Sequence, residues 1–170
     1  MKSLLILTAF ALSSFAVFSP SHNFKIESNN LIWQKVYDSD QTVHELYESL
    51  RSHGNYEKIY IVREEIIFIF NFDSNNELGA HGYRRGSYPS YLKPGGKYTG
   101  YLQKKNDRYR VTITGVNFNW NGDLVENIDD ATLKKGELRD NTRTKKVIQL
   151  FDRFFNSKFS LIKDTNDNNW

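Results

Sequence analysis

The chain contains no cysteine, one methionine and three prolines in 170 residues. Without cysteine there are no disulfides, no lipid-modified cysteine anchor and no thiolate to complete a zinc site, so stability must come from the core alone. Charge of one sign is also scarce. Lys and Arg number 23 against 20 Asp and Glu, and a formal net charge of +3 falls short of what a dedicated polyanion binder carries. Partners therefore have to be sought in local clusters.

Catalytic signatures are missing too. The four histidines, His22, His44, His53 and His81, show no metal-ligand spacing. No nucleophile elbow or dinucleotide turn is present, and Gly95-Gly96-Lys97 is followed by Tyr98 where a phosphate-binding loop needs Ser or Thr. Asp73, Asn75 and Glu77 alternate like the opening of a calcium loop, but Leu78 stands where the loop needs glycine and Arg84 where it needs glutamate. The adjacent carboxylates Glu64-Glu65 and Asp129-Asp130 do not form a natural acid/base pair, because strand neighbours point to opposite faces. No catalytic residue, metal ligand or cofactor is assigned.

One apolar run does occur, over residues 4–18, after Lys2 and before Pro20. It is too short and too diluted with Ala and Ser to span a bilayer, and its order of basic, apolar and breaker residues matches a signal peptide. Ser14 and Ala16 meet the small-residue rule, so residues 1–16 are read as the leader with Val17 as the first mature residue; cleavage as late as residue 21 also fits. The expected location is periplasmic or secreted, without a lipid anchor or a transmembrane span after cleavage.

What remains is rich enough in apolar and aromatic residues for one α+β domain, expected over residues 31–162 and followed by a polar tail at 163–170. Residues 19–30 read as a polar leader to a first strand at 31–37. Thr42 and Glu45 form a capping box for a helix whose apolar face is Val43, Leu46, Tyr47 and Leu50, with Gly54 placed as a left-handed C-terminal residue. Strands follow at 56–62 and 65–72; in the second, Ile66, Phe68, Phe70 and Phe72 share one face. A turn at 73–79 leads into a glycine-rich loop over 79–96.

Residues 99–104 and 108–120 form a hairpin closed by Lys105-Asn106-Asp107. In the long strand the apolar positions are odd at Tyr109, Val111 and Ile113 but even at Val116, Phe118 and Trp120, which predicts a β-bulge or bend at Gly115. After Asn121-Gly122 comes a polar connection with a short helical turn near 129–135. A second helix starts near 142–144 and buries Val147, Leu150, Phe151, Phe154 and Phe155, with Lys145, Lys146, Gln149, Asp152 and Arg153 turned away.

The segment Leu31-Ile32-Trp33-Gln34-Lys35-Val36-Tyr37, the capped helix after it, and Asp107-Arg108-Tyr109-Arg110-Val111-Thr112-Ile113-Thr114 resemble a bacterial domain of unknown function common in exported Bacteroidetes proteins. The resemblance implies a TATA-binding-protein-like fold, a curved antiparallel sheet of about five strands backed by two helices, in the order strand, helix, strands, helix. It carries over no site residues and no activity, and fold analogy alone is no argument for nucleic acid as a partner of an exported protein.

The functional candidate is the stretch 78–106, which has no Asp or Glu. Its candidate ligand-binding residues are Tyr83, Arg84, Arg85, Tyr88, Tyr91, Lys93 and Lys97, cations interleaved with flat aromatic faces that suit an anionic group. The competing account is that the tyrosines pack beneath the loop while the cations keep it soluble. The sequence thus reads as an exported, non-catalytic binding or interaction module for an anionic polymer or an envelope protein. Two alternatives stand beside it: a hydrolase of an envelope polymer using His81, and a structural protein pairing through a strand edge.

Overall fold

Strict alternation in the strands and a 3.6-residue period in the last helix dictate a two-layer arrangement, with a sheet burying one face under helices. The computed structural model describes residues 23–54, 56–93, 95–120 and 123–160. The leader read over 1–16, the turn Asn121-Gly122 and the tail at 163–170 lie outside them.

The strands are β1 (Phe24–Glu27), β2 (Asn30–Asp38), β3 (Tyr56–Val62), β4 (Glu65–Phe72), β5 (Gly96–Lys105), β6 (Arg108–Trp120) and β7 (Asp123–Asn127). They form one antiparallel sheet in the order β1-β2-β6-β5-β4-β3, with β7 paired to β6. A two-stranded ribbon, β8 (Leu133–Lys134) and β9 (Glu137–Leu138), stands apart. The helices are α1 (Val43–Ser52), the short α2 (Ile128–Thr132) and α3 (Thr142–Ser160).

The sheet therefore has seven strands, not about five. One extra strand is β1, inside the segment read as a polar leader; Ser28 and Asn29 both adopt positive φ, the geometry of a two-residue hairpin turn, and Phe24 is buried opposite Trp33. The other is β7, in the stretch read as a polar connection. It pairs with the C-terminal end of β6, whereas β2 pairs with the N-terminal half, residues 108–113. The bulge at Gly115 separates the two. Its φ is +56°, and two residues of β6, Gly115 and Val116, oppose the single residue Tyr98 of β5 between the pairs Lys97 with Asn117 and Thr99 with Thr114. Tyr109, Val111, Ile113, Val116 and Phe118 consequently all face the core. The side chain of Trp120 lies outside the described residues.

Helix α1 starts with the expected reciprocal cap between Thr42 and Glu45. Gly54 is not left-handed, however. A Cβ there would lie 2.8 Å from the rings of Phe70 and Tyr56, so close approach explains the glycine. Helix α3 buries the expected apolar stripe together with Ile148 and Phe159, and Phe155 packs on Trp33 and Tyr98 at ring distances of 5.4 and 5.0 Å.

Asp152 is a correction. The helical period turns it outward on α3, yet it is 8 % exposed, and its Oδ1 accepts hydrogen bonds from Trp33 Nε1 at 2.8 Å and from Asn23 N and Nδ2 at 3.0 Å. A buried indole N–H needs an acceptor, and the helix supplies one across the layer interface.

Candidate functional site

The stretch read as a loop over 79–96 ends inside the sheet, because Gly96 already pairs with Phe72 as the first residue of β5; residues 79–93 stay outside the sheet, with 3₁₀ turns at Gly79–His81 and Ser90–Leu92. Leu78 and Leu92 anchor the two ends in the core, and Ser74 Oγ donates to the Leu92 carbonyl. The loop is thereby held against the start of α3. A cleft of about 360 Å³ opens between them, walled on one side by Ser87, Tyr88, Ser90 and Tyr91 and on the other by Thr142, Arg143 and Lys146. A neighbouring hollow of about 570 Å³ shares Tyr91, Thr142 and Arg143 and adds Glu126, Asp130 and Arg139.

Of the seven candidate residues, only Tyr88 and Tyr91 line the cleft. Tyr83 is 7 % exposed and lies behind Tyr88, ring to ring at 5.5 Å, so it is a packing residue. Tyr91 lines both hollows and rests on Phe118 at 5.1 Å; burial, followed by the Glu126 charge, pushes its pKa up to about 12, against the pull of Arg143 and Arg139. Arg84 and Arg85 are exposed on the loop before the cleft, and Lys93 is half-buried beyond it. Lys97 is set apart altogether: it alternates with buried Tyr98 on β5 and so sits on the sheet face opposite α3.

The structure brings in two cations outside the seven candidate residues. Arg143 and Lys146 are exposed in the first turns of α3, and among the described residues neither forms an ion pair, whereas the neighbouring Lys145 pairs with Asp140 at 2.6 Å. Helix α3 has no acidic residue in its first turn. Cations there oppose the helix dipole, which favours negative charge at the N-terminus. That inverted charge pattern was the signal available in the sequence.

His81, the residue of the hydrolase alternative, packs its ring 5.7 Å from Phe154. Burial and then the Arg153 charge hold its pKa below the ordinary histidine value. The Asp73 and Glu77 carboxylates serve the local turn: Asp73 accepts from the backbone N–H groups of Asn75 and Asn76, and Glu77 accepts from that of Asp73.

The sheet face away from α3 is open. Tyr60, Ile67, Tyr101, Thr112 and Gln34 form one row across five strands. At the β2 end of the row Lys25 Nζ, from β1, donates to Gln34 Oε1 and Gln34 Nε2 donates to Thr112 Oγ1, each at 2.9 Å.

The fold, an antiparallel sheet with helices, is similar to that of two solved structures. A TBP-like protein from Parabacteroides distasonis superposes with a TM-score of 0.50 at 12 % identity, covering 81 % of this chain and 93 % of its own. A DUF4468 family protein from Bacteroides ovatus gives a TM-score of 0.51 at 11 % identity, covering 86 % and 93 %. The fold is TBP-like. At these identities the TBP-like likeness concerns the fold alone. No family model and no curated protein matches the sequence. Among the described residues no helix is long and apolar enough to cross a membrane.

Proposed function

We propose that this chain is an exported, non-catalytic binding module that holds an anionic group of an envelope polymer or envelope protein. The contact point is the cleft between residues 86–91 and the first turns of α3. The observation that carries this reading is the pair Arg143 and Lys146, without ion-pair partners among the described residues, facing Tyr88 and Tyr91. Guanidinium and ammonium groups beside tyrosine rings and two serine hydroxyls can bind a phosphate, sulfate or carboxylate by charge and hydrogen bonding, with the ring faces limiting its orientation. Arg84 and Arg85, exposed on the same loop, extend the positive surface, while Lys93 and Lys97 drop out of the contact.

The test is a thermal-shift screen of the purified protein against acidic polysaccharides, envelope glycans, inorganic phosphate and oligonucleotides at low and moderate salt. A salt-sensitive rise in Tm with an anionic class, abolished by Arg143→Ala with Lys146→Ala, supports the reading. A rise that survives that double substitution moves the site elsewhere. No rise with any probe assigns the cations to solubility.

A further inference from the structure

The two edges of the sheet are protected very differently. At one end β1 is only four residues long and carries the ion pair of Lys25 with Glu27 at 2.5 Å, the usual means of blunting an edge. At the other end β3 runs for seven residues and, among the described residues, pairs only with β4. It also carries three of the four exposed large apolar side chains among the described residues: Tyr60 at 47 %, Ile61 at 38 % and Val62 at 46 %. These are consecutive, so both faces of the strand are apolar at its edge. A bulge between Tyr56 and Lys58 interrupts the start of β3, leaving residues 58–62 as a regular free edge.

We propose that this edge is a self-complementary interface at which a second copy of the chain adds antiparallel about a two-fold axis through Tyr60. The flanking charges select the partner and the register. With the axis at Tyr60, Tyr60 meets its own copy, Ile59 meets Ile61, the Lys58 stem lies beside Val62, and Glu57 faces Arg63. The tyrosine and isoleucine pairs match in polarity and Glu57 with Arg63 in charge, the Lys58 stem covers Val62 with its ammonium in water, and partners across the axis share a face, so the two open sheet faces join into one surface. Shifting the axis between Tyr60 and Ile61 sets Lys58 against Arg63 and Glu57 against Glu64, and it would pair residues whose side chains lie on opposite faces, which a two-fold axis normal to the sheet does not allow. An axis at Ile61 pairs Lys58 with Glu64, but it confines strand pairing to residues 60–62 and puts Arg63, whose φ is +58°, opposite Ile59. The Tyr60 register keeps the longest regular overlap without a like-charge contact, and it closes as an isologous dimer.

Sedimentation of the full chain, expressed with its own leader and purified, reads the result across concentrations from about 1 µM to about 1 mM. The expected outcome is a reversible monomer–dimer transition. Tyr60→Lys should raise the dimer Kd by about tenfold or more, because it places two ammonium groups across the axis. Val36→Lys, at an equally exposed apolar site on β2, should dimerise as the parent does. Glu57→Arg and Arg63→Glu should each weaken self-association, and an equimolar mixture of those two variants should recover it as a heterodimer with both charge pairs restored. A chain that stays monomeric throughout the range overturns the proposal. So does a Tyr60→Lys variant that dimerises normally, or a mixture that fails to recover. Circular dichroism and Tm confirm that each variant is folded; all the substituted side chains are exposed.

Discussion

The two faces of one sheet are made from the same strands, yet they answer to different constraints. On the face under α3, Trp33, Ile113, Gly100, Phe68 and Ile59 run across five strands, and the first four are buried. One residue along each strand, the row from Gln34 to Tyr60 is half-buried to exposed. Packing on the covered face is steric to the point that a Cβ on Gly100 would lie 2.1 Å from the Phe68 ring. The open face tolerates threonine, glutamine and tyrosine because water or a neighbour satisfies them. The contrast shows that stability is concentrated on one side, leaving the other side, the edge and the loop free to vary with function.

The sharpest break in that contrast should come from Phe155→Ala, which empties the centre of the aromatic cluster and should cost about 3–5 kcal/mol, whereas Thr112→Ala on the open face should cost under about 1 kcal/mol. Urea unfolding of both variants measures the gap, and similar midpoints would refute the assignment of faces. Next, Asp152→Ala strips the buried Trp33 indole of its acceptor and should cost about 2–3 kcal/mol, with Asp152→Asn losing clearly less because an amide oxygen still accepts. Smaller again is Gly115→Ala. At φ +56°, with its nearest new contact 3.7 Å away, the substitution meets backbone strain rather than a clash, and a loss of about 1 kcal/mol is expected.

The smallest effect concerns pH. The folded state holds the His81 pKa below its ordinary value, first by burial and then through Arg153. The unfolded chain therefore takes up the proton more readily. Stability linked to the neutral ring is complete above the unfolded pKa of about 6.5 and is lost as pH falls through the folded value. Relative to His81→Gln, the parent should lose Tm on acidification from neutral pH and show no such trend on the alkaline side; parallel curves would place His81 in free solvent.

Features written locally were legible in the sequence. The cap of α1, the stripe of α3, both long hairpins and the parity change at Gly115 depend on neighbours a few residues apart. Strand β1 was missed because a four-residue strand with a single fully buried side chain has little pattern of its own; β2 supplies its ladder. Strand β7 was missed because its polar residues look like a connection until β6 lies beside them. The ribbon of β8 and β9 hides its turn in Lys135-Gly136, both at positive φ. Asp152 looked outward by helical period, since its burial depends on an indole brought from the far end of the chain. In the loop, composition singled out a charged and aromatic stretch but not its sides: it could not place Tyr83 inside, Lys97 on the opposite face, or Arg143 and Lys146 across the cleft.

The division of one edge of β6 between β2 and β7 has a consequence for how the chain folds. The β5–β6 hairpin and the β6–β7 pairing close over short stretches of sequence, so they can form early and at little entropic cost. Strand β2 must return to β6 across the whole intervening chain, and it meets an edge already half taken. The seam between β2 and β6 should therefore be the late step of assembly. Because Trp33 lies in that seam, its fluorescence would change last in a refolding experiment, after the hairpins have formed.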